Sequence, residues 1–175
     1  TQKAQNNDLS LNEWMIGYLL HTNKINSTEL ELFKPSVCNR LDRNTSGLVL
    51  CGISLKGSQA LSEMIRQRTI RKFYHTICQG KLTEKVTLTG SLQKDNKTNT
   101  VFVSNEGNEI QTNYKPLRSL KYNSTYLEVE LITGKTHQIR AHLASVGHAL
   151  MGDRKYGNTA YNKQATQKYN QNSQL

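Results

Sequence analysis

No stretch of this chain holds enough consecutive apolar residues to cross a bilayer. Its first residues, TQKAQNNDLS, lack the charged-then-apolar order of a secretory signal. A cytoplasmic location is therefore expected. Cysteine is scarce. Cys38, Cys51 and Cys78 are odd in number and show no C-x-x-C spacing, which indicates neither a disulfide framework nor a zinc knuckle and reads as three small buried apolar side chains. No H-x-E with a P-C-x-x-C partner is present, so a zinc-dependent nucleobase deaminase is not indicated either. No internal repeat is present. Acidic residues are few, 13 Asp and Glu against 23 Lys and Arg, and the net charge of +10 favours a polyanionic partner. Nucleic acid leads the candidates, although lysine-rich surfaces also serve solubility alone.

At 175 residues and 35% apolar content, the chain suits one globular domain. Ser10 and Glu13 form a capping-box pattern, and Leu11, Trp14, Met15, Tyr18 and Leu19 follow at helical spacing, which predicts a helix from about Leu11 to His21. A polar connection then leads to GLVLCGI (Gly47 to Ile53), a short apolar run typical of a buried strand. Ser54 is placed to cap a second helix with Ala60, Leu61, Met64 and Ile65 toward the core. Strand patterns cover Phe73 to Gln79, Val86 to Leu92, Thr100 to Val103, Ile110 to Leu120 and Tyr126 to Ile132, with a hairpin turn at Lys121 to Thr125. A third helix is expected from near Thr136, with Gly147 as its stop. The expected fold class is α+β, a mainly antiparallel mixed sheet flanked by helices. Residues 1–157 read as the core and 158–175, rich in Asn and Gln, as a loop or disordered tail.

Three segments carry candidate chemistry. In Arg40-Leu41-Asp42-Arg43-Asn44-Thr45-Ser46-Gly47 one carboxylate stands between two guanidiniums that would keep it ionised, as a nucleophile or charge stabiliser requires. An ordinary Asx-turn with solvated arginines accounts for the same residues. In Arg71-Lys72-Phe73-Tyr74-His75-Thr76, strand alternation sends Lys72 and Tyr74 to one face, where Tyr74 can stack on a base or simply be half-buried. The third segment is Gly134-Lys135-Thr136-His137-Gln138-Ile139-Arg140-Ala141-His142-Leu143, in which Arg140 can point toward a cleft. Its GKT is not the end of a phosphate-binding loop, because Val129 stands where that loop needs a glycine. His137 and His142, five apart, fall on different sides of a helix and do not make a zinc face.

Taken together, RLDRNTSG, then RKFY, then LITGKTHQIRAHLASVGHALMGDRKYG resemble the ribosomal large-subunit pseudouridine synthases of the RluA/RluC/RluD type, over about Ser10 to Gly157 and in family order. The resemblance implies a pseudouridine-synthase catalytic domain and the isomerisation of specific uridines in structured RNA, foremost 23S ribosomal RNA or a ribosome precursor, by a monomer without a cofactor. It implies that Asp42 is the catalytic aspartate, that Tyr74 packs on the uracil, that Arg140 pairs with the aspartate and that Ile139 lines the pocket. Arg40 then matches the arginine that enters the RNA stack where the target base leaves. Arg43, Thr45, Lys72 and Lys135 are the accompanying substrate-binding candidates.

Two departures from the family pattern stand out. Asn39 occupies a place where a histidine usually precedes RLD, and no effect on the chemistry is expected from it. The family's initial KPAG-like strand, its terminal strands and an S4-like domain have no counterpart here, so the expectation is a core truncated at both ends. The competing reading is a non-catalytic RNA-binding module, which would not require Asp42, Tyr74 and Arg140 together. An RNA hydrolase would need a water-activating metal or base pair, and the sequence offers no such cluster.

Overall fold

A computed structural model describes residues 7–95, 97–98 and 100–169. The chain divides into two compact units, Thr1–Ile70 and Arg71–Leu175. No helix among the described residues is long and apolar enough to cross a membrane.

In the first unit, helix α1 (Leu11–His21) starts where the sequence places it. The Ser10 side chain accepts from the Glu13 N–H while Glu13 reaches back to the Ser10 N–H, so two otherwise orphaned donors are satisfied. The helix buries Met15 and Leu19, while Trp14 and Tyr18 stack on its exposed side with centroids 5.5 Å apart. The polar connection after it contains a helix the sequence reading did not anticipate, α2 (Ser27–Leu32), opened by a second capping box between Asn26 and Glu29. Asn12 ties α1 to the following strand by donating to the Pro35 carbonyl at 3.2 Å and accepting from the Val37 N–H at 3.0 Å.

The expected strand over GLVLCGI shrinks to β2 (Cys51–Gly52), paired antiparallel with β1 (Ser36–Val37). Leu48 is 89% exposed. An apolar run becomes a buried strand only where neighbours cover it, and among the described residues of this unit two residues of β1 are its only ladder partner. Gly52 is required by close packing, since a Cβ there would lie 1.9 Å from Ser58 Oγ. Helix α3 (Leu55–Arg66) is capped by Ser54 as expected. It fully buries none of its residues, however: of the expected core face, Leu61 and Ile65 are half-buried and Ala60 and Met64 exposed.

The second unit is a five-stranded antiparallel sheet in the order β3-β7-β6-β4-β5. Its strands are β3 (Phe73–Gln79), β4 (Val86–Asp95), β5 (Thr100–Ser104), β6 (Asn108–Leu120) and β7 (Ser124–Leu131). The β6–β7 hairpin turns through Tyr122 and Asn123, both at positive φ, as its tight reversal requires. Pro116, which cannot donate to the ladder, sits at an irregularity in the β6–β7 register. On one face, Cys78, Tyr114, Leu127 and Val129 pack with Leu143 of helix α4 (Gln138–Ser145). Beside them Leu92, Val101 and Ile110 pack with Ala141.

Two expectations are corrected here. Helix α4 begins at Gln138 rather than near Thr136, because His137 adopts the left-handed conformation (φ 54) and breaks the helical path. The tail is not a loop as far as Tyr169. Residues Thr159–Tyr169 form helix α5, nucleated where the Asn158 side chain accepts from the Tyr161 N–H at 3.0 Å. Tyr161 and Ala165, one turn apart, bury against Met151 and Ile77. By strand alternation Ile77 faces away from Thr76 and Cys78, so α4 and α5 lie on opposite faces of the sheet. Residues 170–175 lie outside the described residues.

Candidate active site

The first unit carries Arg40, Asp42, Arg43 and Thr45 on one loop between β1 and β2. Arg40 and Arg43 are exposed, whereas Asp42 and Thr45 are half-buried. The Thr45 N–H donates to the Asp42 carbonyl at 2.9 Å, closing a turn right after the aspartate. The base of the loop is closed by Asn39. Its Oδ1 accepts from the Leu50 N–H at 2.7 Å and its amide nitrogen donates to the Leu48 carbonyl at 3.4 Å. Cys38 N–H adds a bond to the Leu50 carbonyl at 2.7 Å. Asn39 thus has a structural role at the base of the Asp42 loop. Its side chain replaces strand ladder bonds and fixes where the Asp42 loop begins and ends.

The second unit carries Lys72, Tyr74, Lys135, Ile139 and Arg140. Alternation along β3 holds as expected. Arg71, Phe73 and His75 are exposed, while Lys72 and Tyr74 are half-buried. Tyr74 and Ile139 both pack on the same cluster of Cys78, Leu127, Val129 and Leu143, so β3 and α4 bring these two side chains onto one apolar floor. The Lys72 carbonyl accepts from the Leu131 N–H at 2.9 Å, and its ammonium lies so close to Gly134 that a Cβ there would stand 3.2 Å from Nζ. Lys135 instead reaches Asn108, 3.3 Å from Oδ1. Arg71 is bound to Glu130 at 2.7 Å and lies over the Phe73 ring.

The loop before α4 is held by a buried polar network. Gln138 Oε1 accepts from the Thr133 hydroxyl at 2.8 Å and from the Lys135 N–H at 3.1 Å, and its amide nitrogen donates to the Gln111 carbonyl and Thr112 Oγ1, both at 3.0 Å. His142, buried on α4, sits 3.1 Å from Thr112 Oγ1. Burial pushes its pKa below the usual histidine value, against an opposing hydrogen bond to the Thr89 backbone. It is a core side chain whose burial favours the uncharged form.

Arg140 has the most constrained setting. Its Nε donates to Asp153 Oδ2 at 2.7 Å and its Nη2 to Oδ1 at 3.0 Å, a two-point clasp around a fully buried carboxylate. Burial pushes the Asp153 carboxyl up, but Arg140 and the N–H groups of Lys155 and Tyr156 outweigh it and hold the group below the usual aspartate value. The guanidinium also stacks 5.0 Å from the Tyr156 ring centre. Sequence reasoning singled out Arg140 and missed Asp153. The signal present was the run Gly-Asp-Arg-Lys-Tyr-Gly at 152–157, quoted within the third motif but given no role.

The second unit thus presents the half-buried Tyr74 and an Arg140 clasped by the buried Asp153, and the first unit carries Asp42 between two arginines on a loop. The family described as RNA pseudouridylate synthase matches residues 17–145, which include Asp42, Tyr74, Ile139 and Arg140, and the chain belongs to that family. It is 33% identical over 129 residues to a protein named ribosomal large subunit pseudouridine synthase D from Nitrosomonas europaea, covering 73% of this chain and 37% of that one. It is 32% identical over 126 residues to the dual-specificity RNA pseudouridine synthase RluA of Haemophilus ducreyi, covering 69% and 57% of the two chains. The solved human RNA pseudouridylate synthase domain containing 1 shares the fold with a TM-score of 0.68 at 21% identity, over 74% of this chain and 58% of that one. The chain spans about two-fifths of the length of the first of these curated relatives and less than two-thirds of the second.

Proposed function

We propose that this protein isomerises specific uridines in structured RNA to pseudouridine, with ribosomal RNA of the large subunit or its precursor as substrate. What supports the reading above all is that RLDRNTSG, RKFY and the GKTHQIR segment occur in family order inside the matched span. The reaction breaks the N1–C1′ bond, turns the uracil and rejoins it through C5, so it consumes no reductant or nucleotide. Asp42 is the group that acts on the ribose, by attack at C1′ or by removal of the C2′ proton, and both routes need an ionised carboxylate. Tyr74 packs on the uracil above the apolar floor it shares with Ile139, and Arg140 supplies positive charge to the aspartate. The target base must leave its stack, at a cost of roughly a few kcal/mol. Arg40 fills the gap, while Arg43, Thr45, Lys72 and Lys135 hold the sugar-phosphate chain. The enzyme is proposed to work as a monomer in the cytoplasm, without a cofactor.

The test is Asp42→Asn. The amide keeps the shape of the side chain but has no charge to act as nucleophile or base, so isomerisation should fall by at least about a thousandfold while RNA affinity stays within about twofold. Affinity itself should weaken steeply with salt, with a log-log slope of about −0.7 per single-strand phosphate neutralised. Substantial turnover by the Asn variant would remove Asp42 from the reaction. Salt-dependent RNA binding by a wild-type protein that makes no pseudouridine would favour the non-catalytic binding module instead.

A further inference from the structure

Beyond the matched span 17–145, residues 152–157 and helix α5 form a support built around one carboxylate. Asp153 is 1% exposed, and its Oδ1 accepts from the Lys155 N–H at 2.8 Å and the Tyr156 N–H at 3.1 Å besides taking part in the Arg140 clasp. These bonds curl the chain around its own side chain and fix the direction in which the carboxylate faces. The backbone on either side is then gripped by a single residue of α5. Asn162 Oδ1 accepts from the Gly152 N–H at 2.9 Å, and its amide nitrogen donates to the Asp153 carbonyl at 2.8 Å.

The fit leaves no slack. A Cβ on Gly157 would lie 1.9 Å from the Asp153 carbonyl oxygen and 2.8 Å from the Asn162 amide nitrogen. Tyr156 anchors the far side, accepting from the Val101 N–H at 3.0 Å, bonding His137 Nδ1 at 2.8 Å and lying against the Arg140 guanidinium. A planar guanidinium held at two points by a fixed carboxylate has its remaining edge aimed in one direction, whereas a lone arginine samples many rotamers.

We infer that Asp153 and Asn162 are positioning residues, a relay in which α5 sets the carboxylate and the carboxylate sets Arg140 for its part in the reaction. The inference rests on the proposed role of Arg140. It makes α5, where the sequence suggests only a polar tail, a working part of the catalytic domain.

Asn162→Leu, close in size and compatible with a helix, removes both grips and leaves Asp153 and Arg140 intact. Two readouts separate the relay from the reaction. Proton exchange at Arg140 Nε–H, followed by NMR in the free protein, should speed up by about tenfold or more. The single-turnover isomerisation rate should fall by about tenfold with RNA affinity unchanged. Asn162→Asp, which keeps the acceptor for Gly152 and loses the donor, should fall between and guards against a Leu variant that folds poorly.

Tyr161→Phe is the control for loosened docking of α5, because it deletes hydroxyl contacts to Ser124 and the Cys78 carbonyl without touching Asp153. It should move neither readout. Unchanged Arg140 exchange in both Asn162 variants, or an equal rise in Tyr161→Phe, would overturn the relay. Faster exchange with a full isomerisation rate would uphold the relay and overturn the catalytic role of Arg140.

Discussion

The two units of this chain bury their side chains to very different degrees. In the first, the deeply covered apolar residues among those described are Met15, Leu19 and Pro35, and α2 and α3 bury none of theirs. In the second, a continuous sheet covers Leu127, Val129, Leu143 and Met151 almost completely. The proposed reactive carboxylate sits on the thinly covered unit, in a loop closed by Asn39 and a turn. The groups proposed to face the base and the charge sit on the densely packed one. The backbone around Asp42 is shaped by the Asn39 side chain and by the turn from Asp42 to Thr45. Aiming a long, charged arginine takes a buried partner and a packed wall.

The largest effect that tests this contrast is a core truncation in each unit. Leu127→Ala empties a fully covered site between strands and α4 and should cost about 4 kcal/mol, whereas Met15→Ala on α1 should cost about 2 kcal/mol. Denaturant unfolding can follow both, with Trp14, the single tryptophan, reporting on the first unit. An equal or larger loss for Met15→Ala would break the comparison.

A smaller effect, with a pH signature, comes from Arg140→Met. In the wild type the Asp153 carboxyl lies below its unfolded value of about 3.9, so the clasp contributes fully above that pH and is lost as the pH falls through the folded value. Without Arg140, burial, the largest influence on this carboxyl, is opposed by the Lys155 and Tyr156 N–H groups, and the carboxyl should move upward. The variant should then lose about 3 kcal/mol at neutral pH and recover as the pH falls toward 4, because a protonated Asp153 is no longer a buried, poorly compensated charge. Denaturation midpoints of the variant and the wild type should therefore converge on acidification from about pH 7 to 4. A pH-independent loss would mean that Arg140 stabilises by packing alone.

What the sequence revealed follows the same division. The bounds of α1 and β3 were legible because a cap or an alternation repeats over several residues, and the hairpin at Tyr122 and Asn123 because asparagine tolerates positive φ. Helix α2 was not, since six residues are too few to show a period, although Asn26 and Glu29 form the same capping pattern as Ser10 and Glu13. Helix α5 was hidden because, among its described side chains, Tyr161 and Ala165 alone join the apolar cluster, and composition reads such a segment as a polar tail. GLVLCGI misled in the opposite direction, because apolar composition promises burial that only neighbouring strands can provide. At the site, Asp42, Tyr74 and Arg140 stood out as motifs. The clasp did not, because Asp153 lies thirteen residues from Arg140 and no periodic spacing links them.

The smallest effect separates the two capping boxes of the first unit, which are alike in geometry and unlike in what they support. At α1 the Ser10 hydroxyl accepts from the Glu13 N–H at 3.2 Å, and at α2 Asn26 Oδ1 accepts from the Glu29 N–H at 2.9 Å. Helix α1 is joined to the rest of its unit through Met15, Leu19 and Asn12, so unravelling its first turn disturbs buried contacts. Ser10→Ala should therefore lower the global stability of the unit by about 1 kcal/mol. Helix α2 has six residues and no buried side chain, and a helix that short owes little to its own propagation. Asn26→Ala should leave global stability within about 0.5 kcal/mol and act locally. The Leu30 and Phe33 amides, which donate to the Asn26 and Glu29 carbonyls, should exchange with solvent several-fold faster. Amide exchange measured beside a denaturant curve for both variants decides the point. A global loss for Asn26→Ala matching that of Ser10→Ala would show that α2 is coupled to its unit through more than burial, and would remove the thin coverage of the first unit as the reason for its local opening.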